Sequence, residues 1–186
     1  VALTAELVTA RLVLRPPRAE DFEAWAAFAA DPATTQHLGG AQPRAVCWRG
    51  FCLMAGAWSL YGFGMFSVLE RGSGRWIGRV GPWRPEGWPG NEIGWGLVRD
   101  AWGYGLALEA TIAATDWALD ALGWADFIHC IDPGNVRSIA LATRLGSRPR
   151  GRATLPAPLG QDVDLYGQTA AEWRQGAAQR RGGLPR

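Results

Sequence analysis

The chain has 186 residues, of which 48% are hydrophobic and 19% charged, and its formal net charge is +2. That length suits one compact domain with a substantial core, and the apolar share excludes an intrinsically disordered chain. So small a net charge gives no footing for a nucleic-acid partner, and no apolar run approaches the ~20 residues that a membrane span needs.

The first residues lack a basic start and a continuous apolar stretch, so no signal peptide is expected. Residues 7–15 alternate apolar and polar and predict a first strand, stopped by Pro16 and Pro17. Glu20 and Asp21 suit a first helical turn. Phe22, Trp25, Ala26 and Ala29 then recur at helical spacing until Asp31 and Pro32. A loop over 32–43 and a second helix over about 44–58 follow. Three strand-like runs come next, over 63–70, 76–83 and 92–98, the first two joined through a turn at Gly72 and Ser73. They predict an antiparallel meander.

Beyond this point the chain changes character. A helix is expected from the glycines at 103 and 105 to about Leu122, then a buried strand over 125–131. Asp132, Pro133 and Gly134 form a turn, Asn135 caps a helix through Leu145, and Gly146 ends it. A last strand is expected over 163–166. Residues 1–174 make one domain and residues 175–186 a flexible tail.

All basic residues are arginine, which leaves arginine as the only long cation for a phosphate. The cysteines, Cys47, Cys52 and Cys130, are odd in number and lack metal-site spacing. Buried reduced thiols of a cytoplasmic protein are expected, with no metal.

Gly103-Tyr104-Gly105 stands directly before a helix. A helix start has free N–H groups and the positive end of the dipole, and glycine lets a ligand reach them. The combination suits a phosphate or pyrophosphate; a tight connection with no ligand is the alternative. A dinucleotide fingerprint would want a third glycine where Leu108 stands, inside a βαβ unit. The antiparallel strands upstream also disfavour it.

Glu92-Ile93-Gly94-Trp95, the run from Trp102 to Ala110, and Asn135-Val136-Arg137-Ser138 with Leu145-Gly146 resemble the GNAT superfamily. Together with 9–15 and Asp31-Pro32, they are most similar to its RimJ/RimL-like branch of ribosomal-protein alanine N-acetyltransferases. The resemblance spans about residues 7–173. It implies an α+β fold: a mostly antiparallel twisted sheet of six to seven strands, about four flanking helices, and a splay between the fourth and fifth strands. It also implies transfer of an acetyl group from acetyl-CoA to a primary amine, either a protein N-terminus or a small molecule, in a ternary complex. Gly105 and Ala107 match the last fixed positions of the family's glycine motif, while Trp102 replaces its glutamine or arginine.

By the same resemblance, the amides of Gly103, Tyr104, Gly105, Leu106 and Ala107 would hold the CoA pyrophosphate. Leu97 and Val98 would pair with the pantetheine arm as a pseudo-strand, flanked by Asn135 and Ser138. A backbone N–H from the 96–98 stretch would face the thioester oxygen. Glu92 is the candidate base, sharing one strand face with Gly94 and Gly96. The tyrosine that many members place in the last core helix is replaced by Ala142, which leaves Ser138 as the candidate acid. A noncatalytic acetyl-CoA sensor on the same fold is the alternative reading. His37 and Trp95 are substrate candidates. Trp83, Trp88, Trp95 and Trp102 leave open an aromatic pocket, plain packing or a homodimer interface. Glu109 and His129 are expected to be structural, and Arg148, Arg150 and Arg152 a solvated face.

Overall fold

The computed structural model describes residues 5–182. Eight strands form one sheet in the order β1-β2-β3-β4-β5-β6-β8-β7. They are β1 (Leu7–Val8), β2 (Leu12–Arg15), β3 (Phe66–Glu70), β4 (Trp76–Trp83), β5 (Glu92–Leu97), β6 (Asp126–Ile131), β7 (Arg148–Thr154) and β8 (Asp162–Thr169). The helices are α1 (Phe22–Ala30), α2 (Pro32–Thr35), α3 (Arg44–Tyr61), α4 (Leu106–Ala121), α5 (Val136–Arg144), α6 (Ala170–Gln175) and α7 (Ala177–Gly182). The mixed α/β class matches the expectation, but the sheet has eight strands rather than six to seven, because the predicted first strand is two and β7 is added. The helices α1, α3, α4 and α5 are the four long ones.

Every neighbouring pair of strands is antiparallel except β5 and β6, which run parallel and are joined at one register position, Glu92 opposite Ile128. Past that point the sheet opens. One side of the N-terminal half packs Trp25, Phe28, Phe51, Met54, Met65, Trp76 and Trp83 beneath α1 and α3. The other side packs Leu12, Leu14, Phe66, Val68, Ile77 and Val80 against Leu106, Ala110 and Ala114 of α4. The same helix turns Leu108, Ile112 and Leu119 to Ile93, Phe127 and Trp173 of the C-terminal half. By filling both sides of the opening with one rigid element, α4 holds the two half-sheets together where hydrogen bonds do not. Truncating its fully buried Leu108 would cost about 2–5 kcal/mol.

Three expectations are corrected. The strand predicted over 7–15 is a tight hairpin of β1 and β2, with Leu7 opposite Leu14. The segment 32–43 holds the short α2, because Asp31 accepts from the Ala33 amide and Pro32 occupies its first turn. The arginines at 148, 150 and 152 are exposed, as expected, but they lie in an edge strand, β7, that the sequence pattern does not predict. Within the segment expected as a tail, Ala177–Gly182 form α7, with Arg180 stacked 3.5 Å over the Trp173 ring; residues 183–186 lie outside the described residues.

Candidate functional site

The start of α4 is built as a receptor for an anion. Gly103 and Gly105 hold φ of 84° and 74°, which glycine alone adopts freely. Gly105 occupies the helix N-cap and offers no capping side chain, so the first-turn amides have no partner from their own cap. The turn is braced from behind. Arg11 donates through Nη1 to the Tyr104 carbonyl at 2.9 Å and through Nε to Glu109 Oε2 at 2.7 Å. Glu109 also accepts from Thr9 Oγ1 at 2.6 Å and from the Arg11 amide at 2.9 Å. Burial would raise the Glu109 carboxyl, but those donors outweigh it and hold it below the usual range. Its role is to tie β1–β2 to α4, as expected of a structural carboxylate.

The opening between β5 and β6 is lined by backbone. Val98 donates its amide to Ile77 of β4, so alternation points the N–H and C=O groups of Ile93, Trp95 and Leu97 the other way, into the opening. Two of those carbonyls are already engaged. Leu97 O accepts from Trp102 Nε1 at 2.8 Å and Ile93 O meets His129 Nδ1 at 2.6 Å. Val98 is therefore unavailable for the pairing expected of it, since its amide serves β4 and its carbonyl accepts from Ala101. Trp95 and Leu97 are the residues whose amides face the opening instead.

His129 acts as a substitute rung. Its Nδ1 faces a carbonyl and so carries the proton; Nε2 then accepts from Ser147 Oγ at 3.0 Å, which in turn accepts from Gln168 at 3.0 Å. Burial pushes the imidazole down to about 4, against the pull of the Ile93 carbonyl, so it is neutral near pH 7. Across the opening, Asn135 Oδ1 accepts from the Ser138 amide at 3.1 Å, which caps α5. Ser138 Oγ accepts from Trp95 Nε1 at 3.1 Å. Trp95 also packs on His129, with ring centroids 4.7 Å apart. It therefore stands on the face opposite Glu92, beside Ser138, rather than on the acceptor side expected of it. Ala142 is fully buried.

The other face of β5 carries Glu92, Gly94 and Gly96. Glu92 is 6% exposed and accepts from Trp88 Nε1 at 2.6 Å and from the Cys130 amide at 3.4 Å, just where strand pairing stops. Burial pushes its carboxyl up to about 7; Trp88, the Cys130 amide and Arg79 pull against that. Burial and the neighbouring Glu92 raise the Cys130 thiol well above its ordinary range, so it stays protonated. The glycines admit close neighbours: a Cβ on Gly94 would meet Met65 Cε at 2.5 Å, and one on Gly96 would meet Phe28 Cζ at 2.9 Å. His37 reaches over from the segment after α2, its Nδ1 3.4 Å from Asp132 Oδ1 at the end of β6. The segment after α2 thus meets the end of β6.

The four tryptophans divide. Trp83 and Trp88 pack on the Glu92 side, Trp95 and Trp102 on the α4 side. All three cysteines are free, and Cys52 is exposed rather than buried.

Three groups escaped the sequence reading. Arg11 braces the glycine turn. Arg137, exposed on the first turn of α5, lies 4.7 Å over the Trp102 ring beside that turn, so it sits near enough to meet a phosphate. Arg79 projects from β4 toward Glu92. Its signal was present, as a lone charge inside the apolar run Trp76 to Trp83.

Residues 11–148 match the model of a family described as the acetyltransferase (GNAT) domain. A crystal structure of the acetyltransferase from Agrobacterium tumefaciens str. C58 is 31% identical over 88% of this chain and 94% of its own, with a TM-score of 0.79. RimJ from Mycobacterium smegmatis, solved with CoA-disulfide, shares the fold at a TM-score of 0.69 and 24% identity, over 91% of this chain and 87% of that one. The uncharacterized protein YkkB of Bacillus subtilis strain 168 is 32% identical over 88 residues, 46% of this chain; the match spans about half, 51%, of that curated relative.

Proposed function

The chain belongs to the acetyltransferase (GNAT) domain family, and we propose that it is an N-acetyltransferase that moves the acetyl group of acetyl-CoA to a primary amine by direct attack. One juxtaposition supports this reading above all. A sheet opened between β5 and β6, with unspent backbone groups on Trp95 and Leu97, faces an uncapped helix start flanked by glycines of positive φ. The first suits an amide-bearing arm and the second a pyrophosphate, and CoA carries both.

In this reading the amides of Gly103, Tyr104, Gly105, Leu106 and Ala107 hold the pyrophosphate, with Arg137 as a further cation. Trp95, Leu97 and Asn135 hold the arm. Acetyl-CoA supplies an activated thioester; the protein supplies orientation, a proton acceptor and hydrogen-bond donors. Glu92 takes a proton from the acceptor's ammonium, directly or through a water, and so frees the amine to attack the thioester carbon. A carboxyl poised near 7 is well matched to that task at neutral pH. The amide of Trp95 meets the oxygen that gains charge as the N–C bond forms, since Leu97 has only its amide to give to the arm and Gly96 and Val98 face β4. Ser138 donates to the sulfur as the C–S bond breaks. Its oxygen already accepts from Trp95, which leaves its own proton for that use.

The test is acetyl-CoA turnover, read as CoA release, against a panel of small amines and N-terminal peptides. Stabilisation by acetyl-CoA without turnover on any acceptor would favour the second reading, a noncatalytic acetyl-CoA sensor. That reading draws on Ala142, which has no proton to give. Absence of both stabilisation and turnover would overturn the two together.

A further inference from the structure

Arg79 is an unusual resident of a sheet interior. Its Nε is shut away from solvent and has no hydrogen-bond partner among the described residues. Its Nη1 points at Met65 Sδ, 3.1 Å away, and a thioether is a weak acceptor. Its guanidinium lies 5.2 Å over the Trp25 ring. Burial pulls the group down to about 10 against the pull of Glu92, so it remains a cation at neutral pH. Glu92 feels it through space, yet among the described residues neither group has an ion-pair partner within 4.0 Å. Arg79 as a whole is half-buried, but a guanidinium edge shut away in this manner is costly unless something completes it.

The surroundings say what would complete it. Met65 stands beside both charges: its Sδ touches Arg79, and its Cε fills the space over Gly94 that also borders Glu92 Oε1. Met is unbranched and easily displaced. Moving it aside would open a gap between a guanidinium fork and a carboxylate, walled by Trp25, Phe28, Trp83 and Trp88. A guanidinium prefers a bidentate carboxylate, and a carboxylate prefers an ammonium.

Building on the acetyltransferase reading, we propose that the acceptor is a free α-amino acid with an apolar side chain, its carboxylate held by Arg79 and its ammonium presented to Glu92. The displaced Met65 and the aromatic walls then receive the side chain. Arg79 is a specificity residue that selects acceptors carrying an acid next to the amine.

Calorimetric titration of the CoA-saturated protein tests this without turnover. The probes are L-phenylalanine, L-leucine and L-methionine, against their carboxamides and the tripeptides they begin. The acids should bind at least tenfold more tightly than the carboxamides. Arg79→Met should bring that ratio to about one, and Arg79→Lys, which keeps charge without the fork, should fall between. Equal binding of acid and carboxamide, binding of neither at millimolar concentration, or tighter binding of the tripeptides overturns the proposal from the wild-type protein alone. So does an Arg79→Met variant that melts normally and keeps the preference. Acetyl transfer to carboxamides or peptides as fast as to the acids would remove this inference and leave the acetyltransferase reading standing.

Discussion

The two ends of the opened sheet solve the problem of buried charge in opposite ways. Behind the start of α4, the charged brace is answered: Arg11 and Glu109 meet at 2.7 Å, and Thr9 and two backbone groups complete them. What is left for a ligand there is chiefly backbone, namely amides on a turn held by glycines of positive φ, with the exposed Arg137 beside them. Around Glu92 the reverse holds. The backbone is spent on the sheet, and what is left for a ligand is a carboxyl raised to about 7 and a guanidinium facing a thioether. Satisfied charges and bare amides make a rigid site for an invariant anion. Unsatisfied side chains make a site that costs stability and can be retuned by one substitution. The first arrangement suits a cosubstrate, the second a particular acceptor.

The sharpest way to break the first end is Gly105→Val. A branched side chain at φ 74° must either strain the turn or re-aim the amides. Acetyl-CoA affinity should fall at least a thousandfold in a direct binding titration, while the far-UV dichroism of the fold persists. Ordinary affinity in that variant would remove the turn from the site.

At the second end, Glu92→Gln should lower kcat about a hundredfold, the usual worth of a general base. Wild-type rate should rise with pH up to about 7 and then level, and the variant should lose that limb. Stability should move the other way. The Glu92 carboxyl is raised in the folded chain, so between about 4.5 and about 7 the folded state keeps a proton that the unfolded state releases. Wild-type stability therefore declines through that window relative to Gln. The variant should gain up to about 3 kcal/mol by pH 8, at ~1.4 kcal/mol per pH unit, and melt several degrees higher. A variant that lost activity and stability together would make Glu92 a structural anchor instead.

The same contrast decides what could be read from the sequence. The glycine turn was legible because special backbone geometry restricts residue type. Glu92 was legible because alternation fixed its face once β5 was placed. The hairpin of β1 and β2 was missed because the two residues of β1 are too few to show a period, and the turn Thr9-Ala10-Arg11 carries neither glycine nor proline. The edge strand β7 was missed because almost every residue in it is exposed. The role of His129 depends on an Ile93 carbonyl 36 positions away that the opened sheet leaves unpaired. Nothing local records that. Nor could alternation alone show that Val98 had spent its amide on Ile77, because the reading depends on which edge of β5 meets β4.

Arg11→Met should weaken acetyl-CoA binding by about tenfold although Arg11 is not placed against the ligand. It acts by holding the Tyr104 carbonyl and by completing Glu109. Its effect should be on affinity, with kcat for bound substrate little changed; a fall in kcat of the same size would mean that the brace reaches the opening itself.

The smallest effect is expected where the two ends meet, at Ser138. Replacement by Ala removes a donor to the sulfur and also strips Trp95 Nε1 of its acceptor. Loss of one such bond costs about 1 kcal/mol of stability, and because CoA thiolate is a fair leaving group, kcat should fall only two- to fivefold. Trp95→Phe separates the two losses, since it removes the indole N–H and keeps the serine. If Ser138 works as a donor in its own right, Trp95→Phe stays near wild type in kcat, Ser138→Ala does not, and the double variant matches Ser138→Ala. If both singles fall equally and the double falls no further, the hydroxyl serves only to hold Trp95 against His129, and the width of the opening, rather than any proton, is what Ser138 controls.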